Sequence, residues 1–167
     1  MSHATANVPT HDHQSTNVVN RLITGAIAGV VSGAIFAMAA MIYAVIAGPG
    51  FWAPLRMIAT TLGFDMGTDF AFGAVIVGLI LHMMLSAMYG VGFAVIFGGL
   101  RRGSAALVGG GFGLALYIVN FEGFAHLSRF SAFRMMAGNW FEIVDHIMFG
   151  MILGALVVGM LSRSRRI

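Results

Sequence analysis

The stretch WFEIVDHIMFGMILGALVVGML, residues 140–161, decides the fold of this chain. It is almost wholly apolar and exceeds the roughly 20 residues that a helix needs to cross a bilayer. Glu142, His146, Gly150 and Gly154 follow one another at a spacing of four, so they share one helical face. Because polar groups in hydrocarbon are costly, we expect this face to point at other helices and not at lipid.

Three more apolar runs complete a set of four. Residues 70–100 repeat the pattern, with His82, Ser86 and Gly90 at a spacing of four. The other two runs cover residues 22–47 and extend from residue 105 to about residue 124. The sequence therefore predicts an all-α polytopic membrane protein with four transmembrane helices.

Composition supports the same class. Hydrophobic residues make up 59% of the 167 residues, the mean hydropathy is +0.90, and 9% of the residues are charged, whereas a soluble domain has roughly 25%. The absence of cysteine excludes disulfides, thiolate nucleophiles and iron–sulfur clusters. The arginines are dispersed between apolar runs, which does not favour nucleic-acid binding.

The segments between the runs carry the charges. Residues 1–18 read as a disordered polar tail, and residues 19–167 as the transmembrane domain. Gly48-Pro49-Gly50 ends the first helix, and a short helix is expected from Pro54 to about Leu62. Residues 125–139 carry arginines among aromatics. We expect these two connecting segments to form short interfacial helices on the external side.

The distribution of arginine predicts orientation. Six of the nine lie on one side of the predicted spans, at positions 21, 101, 102, 163, 165 and 166, and three lie on the other, at 56, 129 and 134. The side richer in arginine is usually cytoplasmic. We therefore expect a bacterial inner-membrane protein with both termini in the cytoplasm.

Glycines at a spacing of four predict close helix packing. They are Gly25, Gly29 and Gly33 in the first run, Gly109 and Gly113 in the third, and Gly150 and Gly154 in the fourth. Such glycine-zipper faces let a partner backbone approach closely. They predict packing within one chain or against another copy or subunit.

Two histidines in the spans are the candidate functional residues. At 1.5 Å per residue, His146 lies ~9 Å and His82 ~18 Å from the side that carries the acidic loops. A polar seam is expected to descend past Glu142 and His146 to His82. Its other members are Ser86, Asn120, Glu122, Asp145 and Arg134.

Three roles fit this seam. In the first, the histidines hydrogen-bond to neighbouring helices and the role is structural. In the second, His82 and His146 bind haem b, or Glu142 and His146 bind a metal, because imidazole is a common ligand and cysteine is absent. In the third, histidines and carboxylates relay protons or ions. No H-E-x-x-H or G-x-S-x-G motif indicates catalysis.

A resemblance supports the four-span prediction. The stretches WAPLRMIA (52–59), GLILH (78–82), VNF (119–121) and DHIMFG (145–150) resemble a group of short, uncharacterised four-span bacterial integral membrane proteins. The resemblance covers most of the membrane part and excludes the tail. It implies the fold and no particular activity.

Together these observations predict a non-enzymatic accessory or scaffold subunit of a larger bacterial membrane complex, such as a respiratory one, or a homo-oligomer. Its expected partners are the lipid bilayer and other membrane subunits or a second copy, with no cofactor. The alternatives are a small redox subunit with haem b or a metal at the histidines, and a small transporter or channel.

Overall fold

The computed structural model describes residues 11–67, 71–135 and 138–164. This part of the chain is helical and contains no strand. Its α-helices are α1 (His11–Ala47), α2 (Ala53–Ala59), α3 (Phe72–Phe97), α4 (Arg102–Tyr117) and α5 (Trp140–Ser164).

Four helices in the described ranges are long and apolar enough to cross a membrane. They cover Val18–Ala47, Phe72–Phe97, Arg102–His126 and Trp140–Ser164. The prediction of an all-α chain with four such helices is therefore confirmed. The bounds differ by several residues: α1 begins before residue 22, and α3 ends at Phe97 because the Gly98–Gly99 turn follows.

The long helices pack as two pairs, α1 with α3 and α4 with α5, and α1 also packs on α5. At one end of the bundle, Arg21 donates a hydrogen bond to the carbonyl of Val95, and Arg102 donates one to Ser162. At the other end, the ring of Tyr43 stacks on Phe141 with centroids 4.0 Å apart.

Glycine sets the spacing of α1 and α3. A Cβ added at Gly29 would collide with the carbonyl group of Ser86, and one at Gly25 would lie 2.6 Å from the carbonyl oxygen of Gly90. At Gly33 a Cβ would collide with the Ser86 side chain. The glycine face predicted on the first helix is thus covered by α3 of the same chain.

The α4–α5 pair has the same construction. Cβ atoms at Gly109 and Gly113 would collide with the carbonyl groups of Gly150 and His146, and one at Gly154 with the carbonyl group of Ala105. Each half of the chain therefore pairs a glycine-faced helix with a histidine-bearing helix.

The first connecting segment lies against α3. Gly48 and Gly50 end α1 with φ values of +107° and +94°, which glycine adopts without steric cost. Pro54 stands in the first turn of α2, and the carbonyl of Leu55 occupies the space that a Cβ at Gly78 would need. A second close contact with α3 is thus made by the connecting segment.

The second connecting segment is not a regular α-helix. After α4 the chain makes a π-helical turn, Ile118–Gly123, and then two 3₁₀ segments, Phe124–His126 and Ser128–Met135. The hydroxyl of Tyr117 accepts a hydrogen bond of 2.7 Å from the Gly138 N–H. This contact fixes the end of the segment to the bundle.

Some expectations lie outside the described residues. They include residues 1–10 of the predicted tail, Asp69, Arg165 and Arg166, whereas residues 11–18 belong to α1. The interfacial position of the connecting segments and the orientation of the termini stay predictions.

Candidate functional site

His82 is half-buried on α3 and faces α1. Its Nε2 atom lies 2.9 Å from the carbonyl oxygen of Gly33. Because a carbonyl only accepts, we assign the proton of the neutral ring to Nε2, which leaves Nδ1 as an acceptor. The hydroxyl of Ser86, one turn on, donates to the His82 carbonyl at 2.8 Å.

His146 is buried on α5, and it faces a backbone carbonyl with Nδ1, where His82 uses Nε2. Its Nδ1 atom lies 2.8 Å from the carbonyl oxygen of Glu142, one turn earlier. By the same argument Nδ1 carries the proton and Nε2 is the acceptor. The rings of Tyr117 and Phe121 meet the imidazole nearly at right angles, with centroids 5.8 and 5.5 Å away.

Phe36 of α1 lies between the two histidines. Its ring stacks on His82 with centroids 5.6 Å apart, and it meets His146 edge to face at 4.8 Å. Depth counting places the two histidines about 9 Å apart along the bundle axis, yet one phenyl ring contacts both. The fold therefore brings the two candidate residues to one place.

A cavity of about 370 Å³ opens beside these rings. Ligand sites in proteins are typically 300–1,000 Å³ and mostly apolar with a few placed polar groups. Six phenylalanines line this one, at positions 36, 121, 124, 130, 133 and 149. Its polar lining comes from Thr61, His82, Ser86, Tyr89, Asn120, Glu142 and His146.

The two connecting segments form one wall of the cavity. Pro54, Met57 and Ile58 of α2 contribute on one side, and Phe130 and Phe133 on the other. The cavity also reaches the outer surface of the bundle, because Leu85 lines it and is 42% exposed. A small molecule can therefore approach from the side.

Glu142 places a carboxyl group in this apolar surrounding. It is 5% exposed, and its Oε2 atom lies 4.0 Å from Nδ1 of His146, which already donates to the Glu142 carbonyl. Asp145 is buried three residues on, and its Oδ2 atom has no hydrogen-bond partner among the described residues. A buried carboxyl group costs free energy unless a donor or an opposite charge faces it.

Tyr89 and Asn120 connect α3 to the π-helical turn. The hydroxyl of Tyr89 donates to Oδ1 of Asn120 at 3.3 Å, and both residues line the cavity. The π-helical turn aims Asn120 inwards, as such turns often do at functional sites.

The predicted seam is thus brought together only in part. Ser86 and Asn120 join the histidines and Glu142 at the cavity. Glu122 and Arg134 are exposed and do not line it, and Asp145 is buried beside it. Counting residues along a helix predicts the depth of a side chain along the helix axis. It does not predict the direction in which that side chain points around the axis.

Sequence reasoning missed residues that shape the site. The sequence assigned no role in the site to Phe36 or Tyr89, although Phe36 follows Gly33 by three positions on the face that packs on α3. Arg56, on the first connecting segment, is 3% exposed and does not line the cavity.

A metal or haem site was the second role expected of the seam. Within the part of the chain that the structure describes, no three His, Asp or Glu side chains are placed to hold a metal ion. For haem b, the ring of Phe36 packs against both imidazoles, whereas the second nitrogen of each imidazole stays available to a metal. A haem held by both histidines needs Phe36 to move.

Comparison with protein-family models, with curated proteins and with solved structures finds no match.

Proposed function

We propose that this chain is a non-enzymatic integral membrane protein that binds a small, mostly apolar molecule in the cavity between Phe36 and the connecting segments. The observation that carries the proposal is the aromatic cavity of about 370 Å³ with its convergent histidines and Glu142. Its lining matches the ordinary composition of ligand sites.

Placement in a membrane is supported by the outer surface. Large aliphatic side chains of α1 face outwards, and Ile23, Ile27, Ile42 and Ile46 are each about half exposed or more. Apolar patches of this extent are not stable against water. Lipid chains cover them at no such cost, and a ligand soluble in those chains reaches the cavity past Leu85.

A purely structural chain has little reason to keep such a cavity. Protein interiors pack as densely as organic crystals, and empty space forfeits dispersion contacts. The glycines at positions 25, 29, 33, 109, 113, 150 and 154 show that this chain packs its helices closely elsewhere. An aromatic cavity retained beside them is best explained by an occupant.

The accessory-subunit role stays a prediction, but the glycine faces no longer support it. The glycine faces that favoured a partner helix are used within the chain, α1 against α3 and α4 against α5. A partner subunit must therefore dock on other faces.

The proposal is tested by binding tritiated 2-(2-naphthyl)ethanol, a small neutral aromatic alcohol, to the protein in phosphatidylcholine nanodiscs, with empty discs subtracted. Leu85→Trp replaces an aliphatic side chain at the mouth of the cavity by the larger indole ring. The matched control is Met84→Trp, because Met84 is 57% exposed and does not line the cavity.

We expect saturable binding by the wild type and by Met84→Trp, and at least tenfold weaker binding by Leu85→Trp. Equal binding by both variants would place the probe elsewhere and overturn the proposal. Absence of saturable binding, by this probe and by its amine analogue 2-(2-naphthyl)ethylamine, would also overturn it.

A further inference from the structure

We infer that the natural ligand is a protonated primary or secondary amine on an aromatic or alkyl body, with Glu142 as its counter-charge. The inference rests on the proposed function and names the chemical class that the site recognises.

The first argument is that the surroundings of Glu142 favour a cationic ligand. Glu142 is buried and lines the cavity, and Asp145 is buried three residues further along the helix. The imidazole of His146, with Nδ1 at 4.0 Å from Oε2 of Glu142, is neutral in the tautomer assigned above and supplies no positive charge. A carboxylate in this position is stabilised by a cation that the ligand supplies.

The second argument is the direction of the histidine hydrogen bonds. His82 and His146 each donate one N–H to a backbone carbonyl, and this leaves Nδ1 of His82 and Nε2 of His146 as acceptors. Neither acceptor has a hydrogen-bond partner among the described residues. Together with Glu142, the site offers acceptors to a ligand that brings several N–H donors.

The third argument is the aromatic lining. A cation gains from the faces of aromatic rings within about 6 Å, and the gain is larger away from water. Phe36 and Phe121 pack against His146, one turn from Glu142, so rings and carboxyl group lie at the same end of the cavity. An ammonium group can contact both, while the remaining phenylalanines surround its apolar body.

These arguments separate an amine from its nearest analogues. A quaternary ammonium carries the charge but no N–H donor, so it loses the acceptors of the histidines. A neutral alcohol brings one donor but no charge, so it loses the attraction to Glu142. The three probes share one naphthyl body and differ only at the head group.

The test measures binding of 2-(2-naphthyl)ethylamine, its N,N,N-trimethyl derivative and 2-(2-naphthyl)ethanol to the same nanodiscs. For the wild type we expect the amine to bind at least tenfold tighter than either analogue. Glu142→Gln is expected to lower amine affinity at least tenfold, to about the wild-type affinity for the alcohol. Glu122→Gln, an exposed glutamate away from the cavity, is the matched control.

The outcomes distinguish the two proposals. If the alcohol binds as tightly as the amine, or the trimethyl derivative does, the inference fails while the cavity remains a binding site. If Glu142→Gln lowers affinity for the amine and the alcohol equally, Glu142 is not a counter-charge and the inference fails. If no probe binds, the proposed function fails. The wild-type order of affinities decides the question even where Glu142→Gln does not fold.

Discussion

The Nε2 atom of His82 lies 2.9 Å from the carbonyl oxygen of Gly33, so a side chain of α3 is hydrogen-bonded to the backbone of α1 at the wall of the cavity. This carbonyl is reachable because Gly33 carries no side chain and α3 approaches it closely. The same histidine stacks on Phe36, three residues further along α1. His82 therefore connects helix packing with the shape of the cavity.

Replacing His82 by leucine is expected to destabilise the protein by about 1 kcal/mol. The change removes a hydrogen bond between helices, and such bonds in membrane proteins contribute roughly 0.6 kcal/mol on average and up to about 1.7 kcal/mol. The thermal unfolding midpoint, followed by tryptophan fluorescence in mild detergent, should fall by a few degrees. His126→Leu is the control, because His126 is exposed on the connecting segment. An unchanged midpoint for His82→Leu contradicts the assignment.

Adding one methyl group at Gly29 is expected to disrupt the contact between α1 and α3. The new Cβ of Gly29→Ala meets the Ser86 carbonyl, and overpacking of this kind typically costs about 1–3 kcal/mol. Gly92→Ala is the matched control, because a Cβ at Gly92 meets nothing within 4 Å. Thermal unfolding of the two variants gives the comparison, and equal midpoints would show that the helices do not approach as described.

The equivalent pair in the second half is Gly113→Ala against Gly111→Ala. A Cβ at Gly113 meets the His146 carbonyl, whereas one at Gly111 meets nothing within 4 Å. We expect only the first variant to be destabilised. Because Gly111 and Gly113 stand two residues apart on one helix, helix propensity cancels in the comparison.

Removing the hydroxyl of Tyr117 is expected to loosen the second connecting segment. In Tyr117→Phe the Gly138 N–H loses its acceptor, and a hydrogen bond of this kind contributes about 1 kcal/mol. Limited trypsin digestion at the exposed Arg129 and Arg134 should become about fivefold faster. Tyr43→Phe is the control, since the Tyr43 hydroxyl makes only longer contacts, of 3.4 and 3.5 Å, with the side chain of Asn139. Equal cleavage rates for the two variants would show that the Tyr117 hydroxyl does not anchor the second connecting segment.

The fold could be predicted from the sequence because the patterns that indicate it extend over many residues. Four apolar runs of membrane-spanning length leave little choice of element, and glycines at a spacing of four mark the faces where helices meet. Gly29 and Gly113 do lie at such contacts. In each half the structure pairs a glycine-faced helix with a histidine-bearing helix.

The cavity could not be predicted because its main components carry no distinct signal. Phe36 looks like any other apolar residue of α1, although it separates the two histidines. Glu122 and Arg134 were counted into the seam from their depth, but they face outwards. The π-helical turn that aims Asn120 inwards has no distinct signal in its sequence, IVNFEG.

The visible absorption spectrum of the purified protein, oxidised and then reduced with dithionite, is expected to show no Soret band. The ring of Phe36 packs against both His82 and His146. A macrocycle ligated by both rings has to displace Phe36 first. A Soret band with a sharp reduced α band, lost in His82→Leu, would establish the haem alternative.

Orientation in the membrane is expected to place both termini in the cytoplasm, because the side with more arginine is usually cytoplasmic. The chain has no cysteine, so single cysteines can be introduced without a background. Ser131→Cys on the second connecting segment and Ser104→Cys beside the Arg101–Arg102 pair are both at exposed positions at opposite ends of the bundle. A membrane-impermeant maleimide should label Ser131→Cys in intact cells and Ser104→Cys only after permeabilisation. The reverse labelling pattern would indicate the opposite topology, with both termini outside the cytoplasm. The wall of the cavity formed by the connecting segments would then face the cytoplasm.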